Sequence, residues 1–163
     1  MRQLTIPVFL QFASMLAVMP VPARATETCT LTVRVENVSA KGGIVRLGLY
    51  DAAGYPDNDS TPVAATDVPA QPGETVVVLH GIRPGTYAIE TFQDINANGK
   101  MDTSWFGFPE EPYGFSRDAS PFLSKPRFAS VAFPIAAGGN EQTVRLQNSR
   151  SQIESTNEPV NGF

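Results

Sequence analysis

Apolar residues in this chain recur at every second position, and that period restricts the fold more than any other feature. In "CTLTVRVENV", Leu31, Val33 and Val35 alternate with Thr32, Arg34 and Glu36. A β-strand turns successive side chains to opposite faces, so such a run has one buried and one wetted face. "GIVRLGLYD" repeats the pattern with Val45, Leu47 and Leu49, and the Gly42-Gly43 before it suits a hairpin turn, so these two segments are expected to pair. "ETVVVLHGI" offers a β-branched run, Val76, Val77, Val78 and Leu79, long enough for a buried strand. "RPGTYAIETFQD" follows a Pro84-Gly85 turn, with Tyr87, Ile89 and Thr91 alternating with Ala88, Glu90 and Phe92. "RFASVAFPI" and "EQTVRLQ" read as two more strands joined by a hairpin over residues 136–140. A short strand is expected near residues 63–65, inside a connection rich in Pro, Asp and Gly. No segment shows sustained helical spacing with caps. The pattern predicts an all-β chain: a single antiparallel β-sandwich, immunoglobulin-like or prealbumin-like, of about seven strands, with a long loop after an Asp/Asn-rich turn.

Both ends fall outside that pattern. Residues 1–25 combine Arg2, an apolar stretch over residues 6–18 and a closing Ala23-Arg24-Ala25, the arrangement of a cleaved secretory signal peptide. Gln11, Ser14 and Pro20 interrupt the apolar run, which falls short of the roughly 20 residues of a membrane span. Export is therefore expected, to the periplasm or the extracellular space, with no integral span after cleavage. Residues 26–147 form the expected domain, and residues 148–163, polar and without apolar anchors, a disordered tail. Cys29 lacks the Leu-x-small run that lipoprotein processing requires before it. As the only cysteine it has no internal disulfide partner, and a buried thiol is expected. The leader holds two of the 12 basic residues and none of the 16 acidic ones, so the mature chain carries 10 basic and 16 acidic residues, a net charge of −6. That balance argues against nucleic acid and anionic lipid as partners, because both need clustered Lys and Arg.

One stretch points to specific chemistry. "DINANGKMD", residues 94–102, places Asp94, Asn96, Asn98 and Gly99 at positions 1, 3, 5 and 6 of a calcium loop, with the Lys100 carbonyl at 7 and Asp102 at 9. Calcium requires oxygens at alternating positions to converge on one point, and this spacing supplies them. Position 12, where a bidentate Glu is expected, is Trp105, so a further ligand must come from water or another segment; Glu90, Glu110, Glu111 and Asp118 are the candidates. With two carboxylates the expected affinity is weak, roughly 10⁻⁴ to 10⁻³ M. The plain-turn alternative is equally physical: Asp and Asn side chains bond the backbone two residues on, and Asn98-Gly99 is a strong turn signal by itself.

Immediately downstream, "SWFGFPEEPYGFSRDASPF" gathers Trp105, Phe106, Phe108, Tyr113, Phe115 and Phe122 between glycines and prolines, without strand or helix periodicity. Either these aromatics anchor a long ordered loop over the end of the fold, or they form a binding surface for a peptide or glycan. Trp105, Phe106, Phe108, Tyr113 and Phe115 are the candidate binding residues.

No catalytic constellation is legible. A single histidine, His80, excludes a multi-histidine zinc site. A Cys29–His80 pair lacks a nucleophile's loop and oxyanion donors, and Glu110 and Glu111 would point apart in an extended chain. Two functions remain: an exported non-catalytic protein whose weak calcium loop orders the aromatic segment, or a metal-free cell-envelope module that binds a protein or glycan.

The motifs themselves carry a likeness. Gly85, Tyr87, Ala88 and Asp94, then Asn96, Asn98, Gly99, Lys100 and Asp102, then Phe106, Gly107, Pro109, Glu111, Tyr113, Gly114, Phe115 and Ser116 stand in an order that resembles the uncharacterised bacterial family DUF2141. The resemblance covers about residues 31–146, with Gln93 where that pattern leads one to expect His. It implies an exported β-sandwich in which the polar loop and the aromatic segment form one unit, and it assigns no catalytic residue.

Overall fold

A computed structural model describes residues 27–55, 60–121 and 124–148. The leader expected over residues 1–25, Phe122, and all but the first residue of the expected tail lie outside those residues. Eight strands follow in chain order: β1 (Cys29–Val38), β2 (Ile44–Tyr50), β3 (Ala64–Pro69), β4 (Gly73–Ile82), β5 (Gly85–Asp94), β6 (Tyr113–Phe115), β7 (Phe133–Ile135) and β8 (Gly139–Arg145). A 3-10 turn over Ser116–Asp118 follows β6, and one turn of helix, α1 (Phe128–Val131), precedes β7. The strands form two sheets, one ordered β4-β1-β8 and the other β3-β2-β5-β6, with β7 also paired to β5.

Alternation decides which side chains the sheets share. Leu31, Val33 and Val35 of β1 are fully buried and meet Val45 and Leu49 of β2, Ile89 of β5 and Val144 of β8 in one hydrophobic cluster. Removing that apolar area from water is the main driving force for closing the two sheets on each other. In β4 only alternate residues turn inward, Thr75, Val77 and Leu79. Val76 and Val78 stand exposed on the outer face, so this strand is not the doubly buried one its β-branched run suggested.

The pairing differs from the expectation at three points, each because adjacency in sequence does not fix a partner. β1 and β2 are not a hairpin: β1 pairs with β4 and β8, while β2 pairs with β3 and β5, so Gly42-Gly43 carries the chain from one sheet to the other. β7 and β8 are likewise in different sheets, and residues 136–138 form the corner, where Asn140 accepts from the Ala136 N–H at 3.0 Å and donates to its carbonyl at 2.8 Å. Finally, β1 and β8 run parallel, from Thr30 opposite Gly139 to Glu36 opposite Arg145, so the fold is not antiparallel throughout. A parallel neighbour needs a long connection, and the first and last of the described strands have one.

Part of the aromatic segment is also strand. Tyr113 and Phe115 belong to β6, paired against Phe92 and Glu90 of β5, and the segment is locked beneath by Ser116, whose hydroxyl accepts from the Ile89 N–H at 3.0 Å and donates to the Val131 carbonyl at 2.6 Å.

Candidate functional site

The polar loop begins where β5 ends, and its first residue is its anchor. Asp94 is fully buried. Its Oδ1 accepts from the Asn98 N–H at 3.1 Å, and its Oδ2 accepts from the Gly99 N–H at 2.8 Å and from Arg46 Nε at 2.7 Å. Burial pushes the Asp94 carboxyl up, but the Arg46 hydrogen bond and the two N–H donors outweigh it and hold the group below the ordinary carboxylate value. Arg46, on β2, also reaches Asp67 of β3, so one guanidinium links the loop to two strands.

The remaining loop oxygens turn onto the loop itself. Asn96 Oδ1 accepts from the Asn98 N–H at 3.1 Å, and Asn98 Oδ1 from the Lys100 N–H at 2.8 Å, each side chain bonding the backbone two residues on. Their amide groups donate in turn to Asp102, Asn96 Nδ2 at 2.6 Å and Asn98 Nδ2 at 2.9 Å. Asn96, Asn98 and Asp102 thus converge, Asp94 Oδ1 shares the Asn98 N–H with Asn96 Oδ1, and Lys100 is exposed. Among the described residues, no three His, Cys, Asp or Glu side chains are grouped to hold a metal.

Of the four carboxylates weighed as a further ligand, one reaches the loop. Buried Glu111 accepts from the Ile95 N–H at 2.8 Å and the Asp102 N–H at 3.1 Å, clamping the loop's two ends to the chain that follows. Glu110 is exposed beside it. Glu90 pairs with Lys125 at 2.5 Å, and Asp118 with Arg145 at 2.7 Å. Cys29 points into the core, whereas His80 lies on the outer face against the Thr30 hydroxyl, so the two face opposite sides of their sheet.

Between Asp102 and Glu111 the chain makes a narrow projection. Thr103 bridges Pro109, the Ser104 N–H donates to the Phe108 carbonyl at 2.8 Å, and the Gly107 N–H donates to the Ser104 carbonyl at 2.8 Å. The Phe108 N–H donates to the Ser104 hydroxyl at 3.2 Å. At its end Trp105 is 96% exposed, Phe106 82% and Phe108 53%. The five aromatic candidates therefore divide: these three face solvent, while Tyr113 is buried and Phe115 half-buried, edge to face with centroids 6.1 Å apart.

The residues that sequence reasoning missed are Arg46 and the clamping role of Glu111. The only sequence signal for Arg46 was a charge at an outward position of β2. Gln93, at the position where the family pattern leads one to expect His, is fully buried; its amide donates to the Ser39 and Gly42 carbonyls at 2.9 and 2.7 Å, and its oxygen accepts from the Ser39 N–H at 2.8 Å. It ties the β1–β2 crossing to the strand that carries the loop.

Fold and site together define a class: two β-sheets about one core, bearing a self-bonded Asp/Asn loop and an aromatic tip clamped to each other. The chain belongs to the family described as "Uncharacterized protein conserved in bacteria (DUF2141)", whose model matches residues 33–144. No curated protein and no solved structure matches it. Among the described residues no helix is long and apolar enough to cross a membrane.

Proposed function

We propose that this is an exported, non-catalytic module that docks a cell-envelope partner through its aromatic tip. The observation that carries the reading is the exposure of Trp105, Phe106 and Phe108 on a projection whose ends are fixed by hydrogen bonds. A contiguous exposed apolar patch is uncommon on a soluble protein and marks an interaction site, whereas buried Tyr113 and half-buried Phe115 anchor the segment to the fold. The polar loop supports the reading by holding the tip: Glu111 joins both ends of the loop to the residue that follows the tip, so the projection is presented in one orientation. Replacing Trp105, Phe106 and Phe108 together by Ser is expected to abolish retention of the protein on bacterial envelope material while leaving its melting temperature unchanged. Undiminished retention by the triple variant would overturn the reading.

A second reading, a weak calcium site, is favoured by the convergence of Asn96, Asn98 and Asp102. Each amide oxygen keeps a lone pair beyond the backbone N–H it accepts, so Asn96, Asn98 and Asp102 are the side chains that would hold the ion, with the Lys100 carbonyl. Asp94 is already committed to Arg46, and that nearby positive charge keeps the expected affinity low. The two readings are compatible, because an ion in the loop would stiffen the base of the tip.

A further inference from the structure

We infer that the tip's partner is a lipid bilayer, into whose interface Trp105, Phe106 and Phe108 insert; this rests on the docking reading above and names its partner. Three features of the tip fit a bilayer better than a glycan or a protein groove. First, residues 103–109 carry no charge, while Lys100, Asp102 and Glu110 lie just behind them, so the apolar end can enter and the charged base can stay in water. Trp and Phe favour that boundary, with the ring in the apolar layer and the indole N–H at headgroup level.

Second, the two legs of the tip are bonded across to each other. The N–H groups of Ser104, Gly107 and Phe108 are all bonded within the projection, and the Ser104 hydroxyl accepts one of those bonds. Unsatisfied backbone groups keep ordinary loops out of an apolar phase; the legs of this projection have theirs paired, so it is the apex at Trp105 and Phe106 that meets the headgroup region with open backbone groups. A glycan site needs the reverse, polar side chains beside the rings that are free to bond hydroxyls. Here Asn96, Asn98 and Asp102 at the base are bonded to each other, and Thr103, Ser104 and Glu110 are the polar side chains next to the rings in sequence.

Third, the exposure is that of a projection. At 96% and 82% exposed, Trp105 and Phe106 touch almost nothing of their own protein, whereas the anchor residues of protein interfaces cluster in packed patches ringed by polar groups. With 16 acidic against 12 basic residues in the whole chain, attraction to anionic headgroups cannot drive attachment. Insertion is therefore an apolar effect, tolerant of salt and of zwitterionic lipid.

Trp105 is the chain's only tryptophan, so emission from the full chain reports the tip alone. The experiment titrates the full chain with phosphatidylcholine vesicles and follows that emission, with bromine-labelled acyl chains as a depth-sensitive quencher, beside a Phe106→Ser, Phe108→Ser variant that keeps the reporter and any contribution from the leader. The expected result is a shift of the wild-type emission to shorter wavelength, quenching by the brominated chains, and the same partitioning at low and high salt. Partitioning of the double variant is expected to be weaker by roughly tenfold or more for each ring removed. An unshifted wild-type emission, an equal shift in the double variant, or binding that requires anionic lipid overturns the inference. Retention of the wild type, but not of the triple Ser variant, on envelope material stripped of lipid also overturns it while leaving the docking reading intact. Loss of retention on every material would end both.

Discussion

Asp94 combines complete burial with three donors, Arg46 Nε and the Asn98 and Gly99 N–H groups, and its ionised form is what those donors fit. Its carboxyl lies below the ordinary value of 3.8 in the folded chain. A depressed folded value means the group contributes stability above the unfolded pKa, and that contribution is lost as pH falls through the folded one. Glu90 acts in the opposite sense: burial raises its carboxyl despite Lys125, so it favours the fold at low pH and less so as pH rises through its folded value. Comparing wild type with Asp94→Asn in denaturant unfolding separates the two, because Glu90 is common to both proteins. At pH 7 the variant is expected to be less stable by about 1–3 kcal/mol, since an amide cannot accept all three bonds and the Arg46 charge loses its counter-charge. That gap should close as pH falls below about 4. Stability curves that stay parallel down to the acid transition would mean that Asp94 is not held as the anion.

At the scale of elements, the chain's faces were legible and its pairings were not. Alternation named the inward residues of β1, β2 and β5, because burial on one face of a strand is a local property of side-chain period. It could not name partners: β1 and β2 have the same pattern whether they share a sheet or face each other, and the Gly-Gly between them serves a crossing as well as a hairpin. The same limit applies at the site. The spacing of Asp94, Asn96, Asn98 and Asp102 was legible because those contacts are local. Arg46 arrives from another strand 48 positions away, and no periodicity covers the tip to report which aromatics face out. The crossing itself can be tested at Gly43. Its φ is +88°, and a Cβ there would lie 2.2 Å from the Asp94 carbonyl oxygen and 2.7 Å from Ile95 Cα, both backbone atoms that cannot step aside. Gly42, at φ +78°, has open space around the same position. Gly42→Ala is expected to cost about 1 kcal/mol for its left-handed backbone alone. Gly43→Ala should cost at least about 2 kcal/mol more, because the clash pushes the first residues of the polar loop off β5. Equal losses in the two variants would show that the crossing does not abut the loop.

For the molecule as a whole, one shared cluster joins strands from both sheets, and β1 and β8, the first and last of the described strands, lie side by side, so local and global unfolding are strongly coupled. In such a domain any ligand that binds only the folded loop must raise the melting temperature of the entire fold, by RT ln(1 + [L]/Kd) expressed as free energy. That turns the calcium reading into a whole-molecule measurement. If the loop binds calcium at roughly 10⁻⁴ to 10⁻³ M, then about 10 mM calcium should stabilise the fold by about 1.4–2.7 kcal/mol over chelator, a rise of about 4–10 °C for a domain of this size. Asp102→Asn, which retains an acceptor for the two amides but removes the charge, should lose most of that rise. Magnesium should give less, because it demands a tighter octahedral shell than a loop of amide oxygens provides. Arg46 gives the measurement its force, since it already supplies positive charge at Asp94 and an added cation must act against it. A melting temperature unmoved by calcium in both proteins would mean that the loop holds the aromatic tip by its own side chains, with Arg46 supplying the positive charge at Asp94.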